Sequence, residues 1–499
     1  VVIRVLTLCL ALWLSGCDSP PDTRPIRFAL ATVPSGLDPR YASDATSERI
    51  NRLLYARLVD FDEQFRPVAS LARWQRLAPD HYRFILGEQG RVFHDGTRLE
   101  ARDVAATYRS VLDPATASPH YGTLKLIKRI EVIDPDTVDF YLDRPAPLFP
   151  GWMTVGIVPA ATIEAGLPLH HHPLGSGPFR FVDWPQAGRL ELERVSDGQL
   201  LVFEQVHDPT MRVLKLLRGE VDLLQNDLPP ELVDWLDDQQ DIQVIRRRGS
   251  NFSYLGFQLQ DAATGTLAVR RAVALAIDRD AIIRYVFRRA ARKASALLPP
   301  EHWAGASLPL IERDLPRARE LLQTAGYGPQ NPLVLSYKTS SDPFRIRLAT
   351  ILQQQLAEAG IQVTVSSYDW GTFFGDIKAG RFQLYSLAWV GIKSPDIFRY
   401  AFHSQSLPPA GANRGRFNDR QTDALIDAAM RETDIQRQAE LYRQLQQRLL
   451  DMLPCVPLWF EGQYIAARDD ITGYRLAADG NFDALAQVVY AQHGHELMR

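Results

Sequence analysis

The chain has 499 residues, of which 46% are apolar and 23% charged, and a formal net charge of −3 at pH 7. That balance is globular and offers no basic surface for a nucleic-acid partner. Of three cysteines, Cys9 and Cys17 lie at the start, so Cys455 stands alone in the body and excludes an internal disulfide or a CxxC redox or zinc site there.

The first residues form an export pattern. Arg4 is a short positive segment, and Val5 to Leu14 is an apolar run of about ten residues, which suits a secretory signal and is too short to span a bilayer. Ser15 and Gly16 then precede Cys17. "LSGC" resembles the lipobox of bacterial lipoproteins. That resemblance implies a signal peptide at 1–16 and acylation of Cys17 as the first mature residue. Asp18 resembles the signal that keeps such proteins at the inner membrane. The alternative is an ordinary signal peptide with a chance cysteine. "DSPPDTRP" reads as an extended tether, because proline prevents helix; the tether spans 17–25. No later apolar run reaches about 18 residues, so the body does not span a membrane. Roughly 480 residues exceed one core and call for two or three domains.

Elements follow in order. "IRFALATV" (26–33) predicts a strand with Ile26, Phe28 and Leu30 on one face, ended by the "PSGLDPR" loop. "HYRFIL" (81–86) alternates as a strand. "DVAATYRSVL" (103–112) predicts a helix with Val104, Tyr108, Val111 and Leu112 in one stripe, Asp103 as its cap and Asp113-Pro114 as its stop. "IEVIDPDTVDFYL" (130–142) predicts two strands around a turn. "NPLVLSY" (331–337) predicts a strand. Asp342 then caps a helix with Pro343 first, Ile346, Ala349, Leu352, Leu356 and Ala359 on its inner face, and Gly360 at its end. "IQVTVSSY" completes a β-α-β unit with a parallel connection. Two amphipathic helices are expected near 420–430 and 435–452. The fold class is therefore α/β, mixed with α+β, with ligands expected where sheets face a cleft.

Five segments in order resemble the large extracytoplasmic solute-binding proteins of peptide and nickel ABC importers. They are "LARWQRLAPDHYRFILGEQGRVFHDGTRLEARDVAATYRSVLDP" (71–114), "HPLGSGPFRF" (172–181), "VRRAVALAIDRDAII" (269–283), "PRARELLQTAGY" (316–327) and "YRQLQQRLLDMLPCVPLWF" (442–460). The resemblance implies a two-lobed periplasmic-binding-protein fold with a hinge and an extra domain inserted in the first lobe. The expected boundaries are 26–44 for the start of lobe 1, 45–173 for the inserted domain, 174–250 for lobe 1, 251–469 for lobe 2 and 470–499 for the return to lobe 1. Crossings are expected near 250 and 470.

Several residues are candidates for the cleft. Ser35 and Gly36 lie in a loop that resembles the family's cleft floor and reads equally as a plain turn. Asn251 and Tyr254 follow the first expected crossing, where Tyr254 also fits a buried core. "YDWGTFF" (368–374) and "LAWVGIKSPDIF" (387–398) bring Trp370 and Trp389 to strand ends, where aromatic walls suit a binder of varied side chains. The peptide binders place an Asp three residues beyond the Trp that Trp389 resembles, to hold the peptide amine. Here that place holds Ile392, then Lys393, with Asp396 or Asp369 as substitutes. Thr339 stands where dipeptide binders carry a carboxylate-binding Arg, with Lys338 adjacent and Arg345 on the helix. "DPATASPHYG" (113–122) resembles a stretch of oligopeptide binders in which Tyr121 or His120 would face the cleft. His170, His171 and His172 read as a solvated loop rather than a metal site, since consecutive residues converge poorly on one ion. "GSG" (175–177) lacks nucleophile-elbow spacing, and no phosphate-binding glycine loop occurs, so energy supply falls to a partner.

The expectation is a non-enzymatic, lipid-anchored binding protein on the periplasmic side of the inner membrane. It would be monomeric, without metal or cofactor, and would deliver peptides or a small solute to an ABC permease with its ATPase subunits. A metal chelate, opine or sugar derivative is the alternative ligand, and a secreted hydrolase the remote alternative.

Overall fold

The computed structural model describes residues 24–42, 44–186 and 188–491. The expected signal peptide, the expected lipidation site Cys17 and the expected tether up to residue 23 lie outside the described residues.

Two long antiparallel strands, Ile242–Phe257 and Cys455–Arg468, run through the middle of an eleven-stranded sheet. Their pairing slips between Arg247 and Asn251. Such an irregularity bends a strand and sharpens its local twist. On one side of the slip, Gln463–Arg468 reaches Leu223–Gln225, and the sheet continues through Ile26–Leu30, Leu200–Gln205, Arg189–Arg194 and Phe179–Gln186. On the other side, Phe252–Phe257 reaches Leu384–Trp389, followed by Leu333–Ser340 and Ile361–Tyr368. The sheet is therefore shared by two bodies joined at the slip. Chain crossings were expected near 250 and 470; the strand partners change at 247–251 and at 461–463.

In the first body, Ile26–Leu30 pairs in parallel on both sides and is buried along most of its length. Its apolar residues are covered on both faces, and its one charged residue, Arg27, is held by Asp222 at 2.9 Å. It ends at Leu30, short of the expected Val33. A separate four-stranded antiparallel sheet runs in the order Ala72–Ala78, His81–Leu86, Thr137–Leu142, Ile127–Asp134. Tyr82, Phe84 and Leu86 alternate inward, and the helix Ala101–Leu112 covers them, with Tyr108 edge-on to Phe140 at 5.5 Å. The core of this part runs from Leu58 to Ile157.

One cap differs from the expectation. Glu100, not Asp103, is the N-cap of that helix. Asp103 sits at the third helical position, where one oxygen accepts from Glu100 N and the other from Ala160 N, both at 2.8 Å. The carboxylate is thus half of a reciprocal capping box and also ties the helix to its neighbour.

In the second body, Leu333–Ser340 and Ile361–Tyr368 pair in parallel around the helix Pro343–Glu358. Asp342 accepts from Arg345 N at 2.9 Å, and Gly360 takes φ +91°. Leu348, Ala349, Leu352 and Leu356 are buried; Ile346, expected among them, is half-buried one turn too early to reach the core. The helices Arg420–Arg431 and Ile435–Met452 pack together, with Tyr442 and Leu445 fully buried. Among the described residues no helix is long and apolar enough to cross a membrane.

The "GSG" stretch has a packing role. Gly177 N donates to Leu54 O at 2.8 Å at the end of the helix Ala45–Leu54. A Cβ on Gly177 would lie 2.3 Å from Leu53 O, against backbone that cannot yield. Gly177→Ala should therefore cost about 2 kcal/mol or more of stability, as overpacking against fixed atoms does. A control, Gly122→Ala, has nothing within 4 Å of the added Cβ and should be near neutral. Urea unfolding of both variants checks this; equal midpoints would refute the packing role.

Candidate functional site: the cleft between the two bodies

Strand Leu384–Trp389 ends beside the slip, with Trp389 opposite Phe252. This carries Trp389 to the junction of the bodies. Its ring stacks with Tyr254 at 6.5 Å and 16°. Arg414 lies over Trp389 at 4.8 Å and over Phe374 at 5.3 Å, and its Nη1 donates to the Tyr254 hydroxyl at 2.9 Å. Phe374 in turn stacks on Trp370 at 5.3 Å and 8°. Trp370, at 58% exposure, is the outer end of this ladder. The structure thus brings Tyr254, Trp370 and Trp389 into one wall and adds Arg414, which the sequence reading missed. A small cavity of about 30 Å³ opens here, lined by Tyr254, Tyr385, Trp389, Phe402, Arg414 and Cys455. Burial pushes the Cys455 thiol up to about 12, which makes it inert as a nucleophile.

The charged positions are paired. Lys393 Nζ lies 2.8 Å from Asp479 and 5.6 Å from the Phe61 ring centroid. Burial raises the Asp479 carboxyl, but Lys393 outweighs this and holds it down at about 2. Lys393 therefore bridges the second body to two segments of the first, and its charge is already neutralised. His302, which burial lowers to about 4, is neutral and donates from Nε2 to the Lys393 carbonyl at 3.0 Å. The His302 ring stacks on Phe65 at 5.4 Å, and Arg247 reaches Glu63 at 2.9 Å. Ile392 packs on the apolar cluster of the second body. Asp396 begins the helix Ile397–Phe402 without capping it, and burial pushes its carboxyl up.

Near the slip, Arg345 Nη1 donates to Glu461 Oε1 at 3.0 Å, and the Ser253 hydroxyl donates to the same oxygen at 2.7 Å. Burial raises Glu461, but Arg345 more than offsets it and keeps the carboxylate ionised. The buried Asn251 Oδ1 has no partner. Thr339 is buried, and Lys338 pairs with Asp376. Asp369 caps the helix Trp370–Ala379 through Thr372 N at 3.0 Å.

The remaining candidates lie elsewhere in the first body. Ser35 donates to Asp44 at 2.6 Å, and Gly36 makes room for His170, whose ring lies 2.1 Å from where a Cβ would stand. Tyr121 is exposed, while His120 Nε2 meets Pro39 O at 3.1 Å. His170, His171 and His172 are exposed. Among the described residues no group of three or more His, Cys, Asp or Glu is arranged to hold a metal ion.

Comparison with known proteins gives this cleft its context. The family model described as "Bacterial extracellular solute-binding proteins, family 5 Middle" matches residues 76–407. A glutathione-binding protein GsiB of Salmonella paratyphi A is 24% identical over 466 residues, covering 89% of this chain and 91% of the relative. The substrate-binding protein CtaP of Listeria monocytogenes superposes with TM-score 0.85 at 22% identity, covering 94% of this chain and 100% of that one. The periplasmic binding protein DppA of Helicobacter pylori, in complex with the peptide STSA, superposes with TM-score 0.79 at 24% identity over 94% and 98% of the two chains. These likenesses carry the two-lobed fold. With two bodies, a connecting strand pair and a cleft between them, the chain belongs to the bacterial extracellular solute-binding proteins of family 5.

Proposed function

We propose that the protein is the lipid-anchored binding component of an ABC importer, and that it captures peptides or peptide-like solutes between its lobes for delivery to the permease. The carrying observation is the wall of Tyr254, Trp389, Arg414 and Phe374 at the junction of the lobes. Flat aromatic and guanidinium faces bind through area and tolerate varied side chains. The inert Cys455 and the absence of a nucleophile–base motif favour binding over hydrolysis. Ile392, in the place of the usual amine-holding acid, supports a second reading, a non-peptide solute such as a metal chelate, opine or sugar derivative.

Anchoring at Cys17 would hold the protein beside its permease and raise the effective concentration for each delivery. The Cys17→Ser variant should release soluble protein or leave an uncleaved precursor. Fractionation with N-terminal sequencing tests this; a membrane-bound variant with a normal mature N-terminus would exclude the lipobox.

Trp389→Ala should weaken binding of a peptide from a di- to tetrapeptide panel by about 1–3 kcal/mol, the range of a buried aromatic contact. Calorimetry measures it, and unchanged affinity would remove Trp389 from the wall. Asp479→Asn would leave the Lys393 ammonium without its counter-ion where the lobes meet, costing the closed form about 1–2 kcal/mol. The expected result is a larger radius of gyration by X-ray scattering at the same ligand concentration; an unchanged radius would show that the pair does not favour closure.

A further inference from the structure

The loop that carries Arg414 is fixed from beneath. Asn413 is 1% exposed; its Nδ2 donates to His403 O at 3.1 Å and Phe417 O at 2.7 Å, and its Oδ1 accepts from Phe417 N at 2.8 Å. Ala412 N donates to Tyr400 O, and Leu259 N to Gly415 O, both at 2.8 Å. The backbone on either side of Arg414 is therefore set before a solute arrives, and binding does not have to order it. The guanidinium lies over the Trp389 and Phe374 rings and uses one N–H, on Nη1, to bond the Tyr254 hydroxyl. Its Nε and Nη2 groups, the planar edge that fits the two oxygens of a carboxylate, have no acceptor among the described residues.

The two phenols beside it add another donor. Tyr254 and Tyr385 are each 4% exposed, and their hydroxyl oxygens lie 3.5 Å apart. Between them they carry two protons and can make one mutual bond. Arg414 donates to Tyr254 and takes no proton from it. Whichever phenol donates to the other, one O–H is left without an acceptor among the described residues. Arg414, Tyr254 and Tyr385 all line the same cavity of about 30 Å³. By this measure one water takes about 10–15 Å³, so the space fits about two oxygen-sized groups. Two waters would satisfy the protons and leave the charge alone. The charge is the second half of the argument. Lys393, Arg345 and Lys338 of the same lobe are each paired with a carboxylate, Asp479, Glu461 and Asp376. Arg414 has no such partner among the described residues. A half-buried cation without a counter-ion, beside a spare phenol proton and a space for two oxygens, is complementary to an anion. A metal ion would meet only donors there.

We infer that Arg414, with the Tyr254–Tyr385 hydroxyl pair, is the carboxylate-binding subsite of the cleft, and that a captured solute seats one carboxylate in this cavity while the rest of it lies along the aromatic wall. This rests on the reading of the cleft as the capture site and deepens it, since it makes the solute an acid.

Calorimetry with di- to tetrapeptides, glutathione and a set of small non-peptide carboxylic acids, each beside forms in which one carboxylate is capped as its amide, tests the inference. For wild type, capping the seated carboxylate should weaken binding about 10- to 100-fold, the range of a charge-assisted hydrogen bond. Arg414→Gln should lose that preference and bind acid and amide alike. Arg414→Met keeps an apolar stem against the two rings without the charge and should do the same, and at least one of the two variants should keep the wild-type melting temperature. A merely structural role for Arg414 would weaken acid and amide by the same factor and leave their ratio unchanged. A folded variant that prefers the acid as wild type does, or a wild type indifferent to capping, overturns the subsite. If no peptide binds but a non-peptide acid does so in an Arg414-dependent way, the peptide reading falls and the subsite stands. If wild type binds no carboxylate in the set, the subsite falls.

Discussion

Everything in this molecule hangs from one pair of antiparallel strands. Ile242–Phe257 and Cys455–Arg468 serve both bodies, and their pairing breaks register between Arg247 and Asn251. A continuous ladder would make the sheet one stiff slab, because each strand is fixed by hydrogen bonds on both edges. The slip interrupts those bonds where the bodies meet. It also places Asn251, Ser253 and Glu461 at the floor of the cleft, since these residues flank the break. Bending at this point would open or close the cleft without disturbing either core.

Partly solvated ion pairs meet across the cleft. Lys393 pairs with Asp479 and Arg347 with Glu231. The first is the better shielded, with side-chain exposures of 20% and 10%; in the second they are 44% and 39%. Exposed pairs contribute about 0–1 kcal/mol each. A rim of this kind guides the bodies together without locking them. A closed state held so lightly can be populated or emptied by a ligand whose affinity for the two states differs by a few kcal/mol.

Local signals were legible in the sequence, and distant partners were not. Asp342-Pro343 and Gly360 delimit a helix because capping and positive φ are chemistry of adjacent residues. The β-α-β unit followed from periodicity alone. Asp103 misled because a carboxylate three residues into a helix and one at its N-cap look alike in sequence; only the reciprocal bonds with Glu100 separate them. Lys393 read as a cleft residue beside Ile392, and its pairing was hidden because its counter-ion, Asp479, comes from the far end of the chain. Arg414 carried a weak local signal. It lies in the glycine-flanked "GANRGRFND" loop, where position is set by the scaffold beneath rather than by the loop's own sequence.

The charge layout of the cleft has a consequence for how a solute is read. Arg345 with Glu461, and Lys393 with Asp479, are self-neutralising pairs, so they present little net field. What remains is Arg414, which lies over the aromatic wall of the second lobe and holds the Tyr254 hydroxyl. A solute with an anionic or π face meets its complement there. Because such an attraction strengthens as water is excluded, the difference between a matching and a non-matching solute grows as the bodies approach. Closure is in this sense the step at which the solute is recognised, and the strand slip that permits closure is as much a determinant of specificity as the side chains that line the cleft.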